Sequence, residues 1–371
     1  MGPTTMKSHL KLYRIPQHTD AWHEFRLNGI GGSEVSTVLN ISFDTAARLY
    51  HEKIGNIPHR EFDNMNMFMG RYLEEHIATL HKYYDGTEEG LIENYKNGTI
   101  VRENRAINAY VVNPNYPWLF GSLDRLINIK GGVNLITGEA LKEEAVLEIK
   151  NMGMWASKAW DDGIPIYHLI QVHVYMIILE TDYSEIAMLV DGNRLVVEKV
   201  QRDEELVKRI LSISRQWWYD RVIPAKDAIK IRDECDAQGN IGESEKYEAI
   251  IQRLEPDPDY SEAYKDFMSD SFVKEREFVD GTMELYSLAK KYEIMKKVKN
   301  EVDKTQALIK NTFIKFLKDN GAESVSFDSL GSVNWTDRKG SASRTFGCKI
   351  KEKPSEDIIK EEFAKIDQNC Y

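Results

Sequence analysis

The sequence is poor in cysteine and has no long apolar run. Its three cysteines, Cys235, Cys348 and Cys370, are scattered along 371 residues and include no C-x-x-C pair. Such a set predicts no structural disulfide and is typical of a reducing compartment. No segment approaches the roughly twenty apolar residues that cross a bilayer, and the N-terminal residues lack a signal-peptide core. With 42% apolar residues to fill a core, we expect a globular cytoplasmic protein without a membrane segment.

Positive charge is scarce overall but locally concentrated. The net charge of −11 at first argues against a nucleic-acid partner, because Lys and Arg drive phosphate binding. However, residues 290–318 contain nine lysines against three acidic residues, a local charge of +6 that leaves about −17 elsewhere. Sites for metal ions also concentrate carboxylates, which lowers the net charge without excluding DNA. Charge therefore permits one basic surface on an acidic body.

The first part of the chain alternates helical and strand patterns, which predicts a mixed α/β domain over residues 1–228. Its predicted elements are a helix from Ser33 to Leu39, a helix over 69–84, a hairpin over 100–112 and 118–130, a strand over 145–150, a helix from Pro165 to Glu180, two strands over 184–201 and a helix through Trp217 and Trp218. The connections are short and rich in Gly, Asn and Pro, as turns require.

Residues 229–371 are predicted as a helical C-terminal extension. A long helix over 283–318 carries an apolar residue at every seventh position, which indicates a packing seam. These residues are Leu288, Met295, Val302, Ile309 and Phe316. Because Lys299 and Gln306 interrupt the adjoining row, we expect an antiparallel helical pair. Residues 324–335 predict a small β-hairpin that turns near Leu330 and Gly331.

Three charged residues in apolar strands are candidates for catalysis. Strand alternation puts Glu148 and Lys150 on one face and Leu147 and Ile149 on the other. Upstream, Asp124 lies in a similarly apolar strand, where a charge is costly unless it binds a partner such as a divalent metal. Mg²⁺ prefers a few carboxylate oxygens, and a nearby ammonium can orient or help deprotonate an attacking water. The trio fits phosphodiester hydrolysis, although Glu148 and Lys150 alone also fit an exposed cross-strand ion pair.

Five sequence blocks follow one another in an order that is more specific than any single block. They are WHEFR at 22–26 leading into GIGGSE at 29–34, MGRYLE at 69–74, GSLD at 121–124, LEIK at 147–150 and QVHVYM at 171–176. The series resembles the phage exonuclease and YqaJ-like viral recombinase (lambda-exonuclease-like) branch of the PD-(D/E)XK nuclease superfamily. The resemblance implies a restriction-endonuclease-like core, in which helices flank a mixed central sheet. The long interval from Asp124 to Glu148 suggests a hairpin elongated around Gly131 to Gly138.

The resemblance also implies a metal-dependent active site. Asp124 and Glu148 match metal ligands, the backbone carbonyl of Ile149 matches a further ligand, and Lys150 matches a lysine beside the hydrolytic water. Glu74 matches the helix glutamate that supports this site, whereas by pattern alone it would be a solvated carboxylate. The implied cofactor is Mg²⁺, with Mn²⁺ as a substitute and two ions per site.

A second set of residues resembles a pocket that recognises the 5′ phosphate of a DNA end. Arg26, Ser33, Ser122 and Gln171 match that pocket, and Tyr175 lies one helical turn from Gln171 on the same face. Arginine offers a fixed fork of donors, and a serine at a helix start adds hydroxyl and backbone donors toward an anion. Ser33 could instead cap a helix, and Gln171 could satisfy buried backbone groups.

Other aromatic and polar residues carry weaker signals. Four tryptophans could stack on bases, but core positions are favoured for them. They are Trp155, Trp160, Trp217 and Trp218. His168 and His173 have no third ligand at metal spacing, so no zinc site is predicted. Lys158 and the lysine pairs at 290–291 and 296–297 could contact DNA or could lie on solvated faces.

These expectations describe a Mg²⁺-dependent exonuclease that degrades one strand of linear double-stranded DNA from a 5′ end. The 3′ overhang would serve a single-strand annealing protein in recombination. An endonuclease, or a nuclease for single strands or RNA, would share the same core residues, and a noncatalytic DNA-binding scaffold is a further alternative. Iron-sulfur relatives are disfavoured because they need four cysteines. The resemblance also implies a ring-shaped homo-oligomer, such as a trimer, in a bacterial host cytoplasm.

Overall fold

The computed structural model describes residues 7–16, 19–59, 63–270, 280–337, 344–350, 355 and 357–360. Contacts divide the chain into two units, Met1–Val273 and Lys274–Tyr371. Cys235 and Cys348 carry free thiols, and Cys370 lies outside the described residues. No helix among the described residues is both long and apolar enough to cross a membrane.

Helices and strands alternate along the first unit. Its strands are β1 Lys11–Tyr13, β2 Ile30–Gly31, β3 Asn104–Ala106, β4 Tyr110–Val112, β5 Leu119–Ser122, β6 Arg125–Ile127, β7 Ala145–Met152, β8 Tyr183–Val190 and β9 Arg194–Gln201. Its helices are α1 Asp20–Arg26, α2 Val35–Val38, α3 Ala46–Lys53, α4 Met65–Tyr83, α5 Glu88–Asn97, α6 Met154–Ser157, α7 Ile166–Leu179, α8 Glu204–Trp217, α9 Ile223–Ala237, α10 Ile241–Leu254 and α11 Glu262–Asp270. The second unit has α12 Met283–Asp319, β10 Ser324–Ser326, β11 Gly331–Asp337 and β12 Arg344–Ile350.

A mixed sheet in the order β3-β6-β7-β8-β9 forms the centre of the first unit. β7 and β8 run parallel, and the other neighbours are antiparallel. Ile77 of α4 packs with Leu147 and Ile149 on one face, while Ile170 of α7 packs with Val146 on the other. The predicted mixed sheet with flanking helices is therefore confirmed, and β7 is buried on both of its faces.

The predicted hairpin over 100–112 and 118–130 is present but broken in the middle. β4 pairs with β5 in a four-stranded sheet of order β1-β4-β5-β2, whereas β3 pairs with β6 in the central sheet. The break falls at Leu123 and Asp124, opposite Asn108, which has a left-handed backbone φ of 49°. The prediction that Asp124 lies within a strand is therefore wrong, because the chain leaves one sheet for the other at this residue.

A buried ionic network fixes α4 against β8. The Glu185 carboxylate lies 2.7 Å from His81 Nε2 and accepts hydrogen bonds from Arg102 and the Tyr183 hydroxyl, each at 2.7 Å. All four side chains are buried, so removing one partner would leave an uncompensated charge or donor. Because α4 carries Glu74, this network also fixes the position of Glu74 relative to the sheet.

The first unit extends beyond residue 228. The Tyr50 hydroxyl of α3 donates to the carbonyl of Ile251 at 2.8 Å, and Arg221 donates to the carbonyls of Leu254 and Glu255 at 3.1 and 2.9 Å. These bonds tie α10 to the body of the unit. The domain boundary at residues 228 and 229 stays a prediction, and in the structure α9 runs through it without a break.

The second unit contains the predicted long helix and small hairpin. β10 and β11 form the hairpin, and β12 adds a strand to the other edge of β11. The expected antiparallel helical pair is wrong for the described part of this unit, where α12 packs on β11 and no second long helix is present. The reason is visible at Phe313, whose ring contacts Phe346 of β12 and Phe327 of the turn after β10 rather than another helix.

Candidate active site

β7 presents the predicted catalytic pair on the face below α7. Lys150 Nζ donates to Glu148 Oε1 at 2.5 Å, and Gln171 Nε2 of α7 donates to the same oxygen at 2.9 Å. Leu147 and Ile149 enter the opposite core, as strand alternation predicts. Glu148 is 2% exposed, so the pair is not an ordinary surface ion pair.

The open edge of β7 brings Asp124 into the same site. β6 pairs with β7 only as far as Leu147, and beyond that point Asp124 Oδ2 accepts a hydrogen bond from the Ile149 N–H at 2.8 Å. In a strand the N–H and C=O of one residue point to the same side. The Ile149 carbonyl therefore faces the edge that Asp124 occupies, and the predicted ligand groups meet where β6 begins.

α4 supplies a further carboxylate, Glu74, on the border of the site. Glu74 Oε1 lies 3.3 Å from Arg125 Nη2, and Glu75 Oε2 lies 2.5 Å from the same nitrogen. Because Arg125 follows Asp124 directly in the chain, this cation ties α4 to the break between β5 and β6. The Glu74 side chain is 32% exposed, so it faces solvent on one side and the site on the other.

Each carboxylate of the site makes the ionised form of its neighbours less favourable. Burial, and after it the charge of Glu148, raises the pKa of Asp124 well above its ordinary value. Burial also raises the pKa of Glu74, and Glu148 adds to this rise while Arg125 opposes it. Burial opposes the charge of Lys150, yet Glu148 and Asp124 outweigh burial and raise the pKa of this ammonium. Such a site has an excess of negative charge that a bound cation would relieve.

The donor set fits a hard divalent cation. Glu148 Oε2 is buried and has no hydrogen-bond partner among the described residues, so this carboxylate oxygen is available to a ligand. Within the described part of the chain, no three His, Cys, Asp or Glu side chains form a group that could hold a metal ion. Mg²⁺ does not need such a group, because it takes one or two carboxylates and keeps several waters. Asp124, Glu148 and the Ile149 carbonyl therefore fit Mg²⁺ better than they fit zinc.

α7 links the carboxylates to a second polar cluster. Gln171 Nε2 donates both to Glu148 and to the Tyr175 hydroxyl, the latter at 3.0 Å. Burial, followed by the charge of Glu148, raises the pKa of Tyr175 well above its ordinary value. A Cβ on Gly32 would lie 2.3 Å from the Tyr175 ring, so the turn over 29–34 approaches α7 closely only because it has glycine there. The Gln171 amide nitrogen thus serves the site rather than buried backbone.

Arg26 belongs to a buried ionic triad that the sequence did not reveal. Its guanidinium binds Glu34, and Lys53 Nζ lies 2.7 Å from Glu34 Oε2. The guanidinium also lies over the rings of Trp22 and Phe120, at 5.0 and 5.8 Å from their centroids. Two cations against one carboxylate leave one net positive charge, which suits an anion. Glu34 stands inside the GIGGSE block, but no motif pointed to Lys53.

Replacing Glu34 with glutamine should lower the free energy of unfolding by about 3 kcal/mol near pH 7, because it leaves two buried cations without a counter-charge. Although burial raises it, Lys53 and Arg26 lower the pKa of Glu34 from 4.5 to about 2. A depressed pKa stabilises the fold above the unfolded value, and that contribution is lost as the pH falls through the folded value. Urea denaturation should therefore show the difference between wild type and E34Q shrinking from about pH 5 downward.

The matched control for this prediction is Glu24→Gln, which changes an exposed glutamate of α1. It should leave the free energy of unfolding within about 0.5 kcal/mol of wild type. If the deficit of E34Q stays constant as the pH falls, Glu34 acts through packing and not through its charge.

The two predicted serine contacts are exposed but differ in their settings. Ser33 precedes α2, yet the N-cap is Glu34 and no side chain caps the helix. The interpretation of Ser33 as a cap is therefore wrong, because the helix begins one residue later than the sequence indicated. Ser122 ends β5 and lines a cavity of about 460 Å³ together with Asp124 and Glu74. A role of either serine in phosphate binding stays a prediction.

The tryptophans divide into buried and exposed residues. Trp217 and Trp218 lie in the core, as predicted, and Trp160 stacks on His168 with ring centroids 5.1 Å apart. Trp155 is 82% exposed. The core prediction is wrong for this residue, because it lies on a turn that follows β7 outside both sheets.

His173 and the lysines of α12 have ordinary structural surroundings. His173 bridges the Leu169 carbonyl at 2.7 Å and the Asp203 N–H at 3.0 Å. On α12, Lys296 pairs with Glu293 at 3.2 Å and is exposed. Neither observation favours a metal site at His173 or a phosphate contact at Lys296 over an ordinary structural role.

Comparison with known proteins finds a family model that is similar to the part of the chain that holds these residues. Residues 21–184 match the model of the YqaJ-like viral recombinase domain. Uncharacterized protein YqaJ of Bacillus subtilis (strain 168) is 28% identical over 223 residues, or 58% of this chain. The chain spans 61% of the length of that relative.

Solved structures of exonucleases are also similar in part. LHK-Exo in complex with dAMP is 17% identical, with a TM-score of 0.42 over 58% of this chain and 98% of that chain. LHK-Exo is an alkaline exonuclease from Laribacter hongkongensis. A phage-related exonuclease from Haemophilus somnus 129PT is 13% identical, with a TM-score of 0.31 over 52% of this chain and 95% of that chain. The matched residues contain all five sequence blocks and every candidate site residue, so residues 21–184 are similar to the YqaJ-like viral recombinase domain.

Proposed function

We propose that the chain is a Mg²⁺-dependent exonuclease that hydrolyses one strand of linear double-stranded DNA from its 5′ end. The observation that carries the proposal is the meeting of Asp124, Glu148 and Lys150 in a buried site beside Tyr175 and the Arg26 triad. The first cluster suits hydrolysis of a phosphodiester, and the second suits a terminal phosphate. The match to a viral recombinase domain supports recombination as the setting.

Each residue of the site would have a separate role in hydrolysis. Asp124, Glu148 and the Ile149 carbonyl would hold Mg²⁺, whose charge stabilises the negative charge that develops on the phosphate and the leaving oxygen. Lys150, held by Glu148, would orient the attacking water with its ammonium group. Gln171 binds the same Glu148 oxygen and so fixes the carboxylate from the other side.

The bonding changes explain why one pocket can serve successive cycles. The attacking water releases one proton to solvent as its oxygen bonds to phosphorus, the bond from phosphorus to the 3′ oxygen breaks, and that 3′ oxygen takes up one proton from solvent. Each cycle releases a 5′ mononucleotide, while the next hydrolysis requires a 5′ end of the same chemical form. The Arg26 triad would bind that end phosphate, because a guanidinium presents paired donors to phosphate oxygens.

Further properties follow as parts of the same proposal. Mn²⁺ should replace Mg²⁺, since both accept carboxylate and water oxygens, and two ions should bind per site. The 3′ overhang should pass to a single-strand annealing protein. The resemblance to ring-forming exonucleases supports a closed homo-oligomer such as a trimer, which analytical ultracentrifugation can test.

The Arg26→Ala variant should lose its preference for phosphorylated ends. We expect the ratio of initial rates on 5′-phosphate and 5′-hydroxyl duplexes to fall about tenfold, because a charge-assisted hydrogen bond to phosphate contributes roughly 1.5–3 kcal/mol. The measurement is digestion of end-labelled linear duplexes that differ only in the 5′ group. Arg209→Ala, at an exposed position of α8, is the matched control and should keep the wild-type ratio.

The same assay separates the alternative nucleases. An endonuclease would cut circular DNA, and a ribonuclease would prefer the matching RNA. If R26A keeps the wild-type phosphate ratio, Arg26 does not recognise the DNA end and the polarity part of the proposal is wrong.

A further inference from the structure

The turn that follows the catalytic strand carries an exposed indole. Trp155 is 82% exposed, whereas Trp22, Trp118, Trp217 and Trp218 are 7, 6, 6 and 4% exposed. An aromatic ring buries a large apolar area when it is packed, so leaving it in water forgoes that stabilisation. A tryptophan kept in solvent beside a candidate active site therefore points to a ligand.

Lys158 covers part of the Trp155 indole and places a positive charge beside it. Lys158 Nζ lies 3.9 Å from the centroid of the Trp155 ring, which is within the range of a cation–π contact. The remaining ring surface is open to solvent, as its exposure shows. The pair thus offers a flat apolar surface and a positive charge, the two features that bind single nucleotides of any sequence.

The backbone holds the pair in a defined turn. Ser157 N donates to the Gly153 carbonyl at 3.1 Å, and the Ser157 hydroxyl donates to the Met154 carbonyl at 2.9 Å. Met154 N donates to Asp191 Oδ1 at 3.3 Å, which ties the turn to the connection between β8 and β9. Trp155 is therefore presented by an ordered helical turn.

The turn lies close to the catalytic residues. Trp155 follows Lys150 by five positions, so their Cα atoms are at most about 18 Å apart. At the end of the turn Trp160 stacks on His168, one helical turn before Gln171. Burial, and after it the charge of Lys150, lowers the pKa of His168 to about 4, so this ring stays neutral next to the site. Trp155 is thus within a few nucleotides of the scissile phosphate, since successive phosphates of a strand rise by about 3.4 Å.

We propose that Trp155, backed by Lys158, stacks on one base of the bound DNA near the scissile phosphate. The inference rests on the proposed function in taking DNA as the ligand. Stacking is tolerant of sequence because every base has a π-face, and an enzyme that digests successive nucleotides needs such tolerance. The contact would orient the strand while Arg26 binds the end phosphate and the carboxylates hold Mg²⁺.

The test is an abasic scan by fluorescence anisotropy. A fluorescein-labelled, 5′-phosphorylated duplex carries one abasic site in turn at each of several nucleotides from the 5′ end, with Ca²⁺ in place of Mg²⁺. Wild type should lose about tenfold in affinity at one position, because stacking of a base contributes about 1–3 kcal/mol. Trp155→Ala should bind the intact duplex about tenfold more weakly and should show no further loss at that position.

Two matched variants distinguish stacking from a merely apolar contact. Trp155→Phe should recover most of the affinity, and Trp155→Leu should not, since leucine has no flat face. Equal recovery by Phe and Leu would overturn the proposal. So would a W155A variant whose affinity falls a further tenfold at the abasic position, because the two losses would then be independent. A change in the sedimentation coefficient of W155A would also overturn it, by showing that the indole contacts a second subunit. Because binding is measured without cleavage, this result is independent of whether the chain proves to be a nuclease.

Discussion

The Asp124→Asn variant should retain its fold and lose at least a thousandfold of its nuclease activity. Asparagine keeps an oxygen that can accept the hydrogen bond from the Ile149 N–H, now 2.8 Å from Oδ2, so the break between β5 and β6 should keep its shape. The variant lacks the charge that would hold Mg²⁺. Metal-assisted charge stabilisation contributes several kcal/mol, and each 1.4 kcal/mol corresponds to about tenfold in rate.

The measurement is the initial rate of Mg²⁺-dependent release of nucleotides from linear duplex DNA. Asp182→Asn, at an exposed position between α7 and β8, is the control and should keep the wild-type rate. D124N should unfold no earlier than wild type, because a buried aspartate with a raised pKa does not stabilise the fold through its charge. Full activity in D124N would show that Asp124 is not part of the catalytic site.

Replacing Lys150 with methionine should reduce kcat by about a thousandfold and leave the affinity for DNA within about tenfold of wild type. Methionine fills similar volume beneath α7 but has no ammonium group to hold the attacking water. Positioned proton donors and acceptors typically contribute 10²–10⁴-fold to a rate. Since the lysine acts on the reacting water rather than on the duplex, kcat should fall more than KM rises.

Single-turnover cleavage and DNA binding, measured on the same K150M preparation, separate these two effects. Lys142→Met changes an exposed lysine before β7 and should affect neither. If K150M binds DNA much more weakly but cleaves at the wild-type rate once bound, Lys150 is a substrate contact and not part of the hydrolytic machinery.

Local pattern was sufficient to place the residues of β7. Alternation has a period of two, so Glu148 and Lys150 had to share a face whatever packed around the strand. The helices of 65–83 and 166–179 were similarly predictable, because their apolar stripes repeat with the helical period. These features depend only on residues that are near one another in the chain.

Features that depend on distant contacts were not predictable from local pattern. Lys53 meets the backbone carbonyl of Arg26 at 2.7 Å across 27 residues, and no spacing rule connects the two. The break at Asp124 arises because one long hairpin joins two different sheets. Trp155 was assigned to a core by composition, since most tryptophans are buried, and only its place on the turn after β7 shows otherwise.

The sequence resemblance and the structure give different kinds of support for the candidate site. The sequence blocks implied which residues are functional, and the structure connects Gln171 to both Glu148 and Tyr175 through one amide nitrogen. This arrangement couples the hydrolytic residues to the proposed phosphate pocket. A change at Gln171 should therefore disturb both clusters at once.

Digestion from the 5′ end is tested most directly by a time course on linear duplex DNA with Mg²⁺, in which one strand is labelled at its 5′ end and, in a parallel substrate, at its 3′ end. We expect the 5′ label to leave first as a mononucleotide, the 3′ label to be retained until late, and EDTA or Lys150→Met to stop the reaction. Circular duplex DNA should stay intact. Early release of the 3′ label, cleavage of the circle, or full activity of K150M would contradict the proposed function.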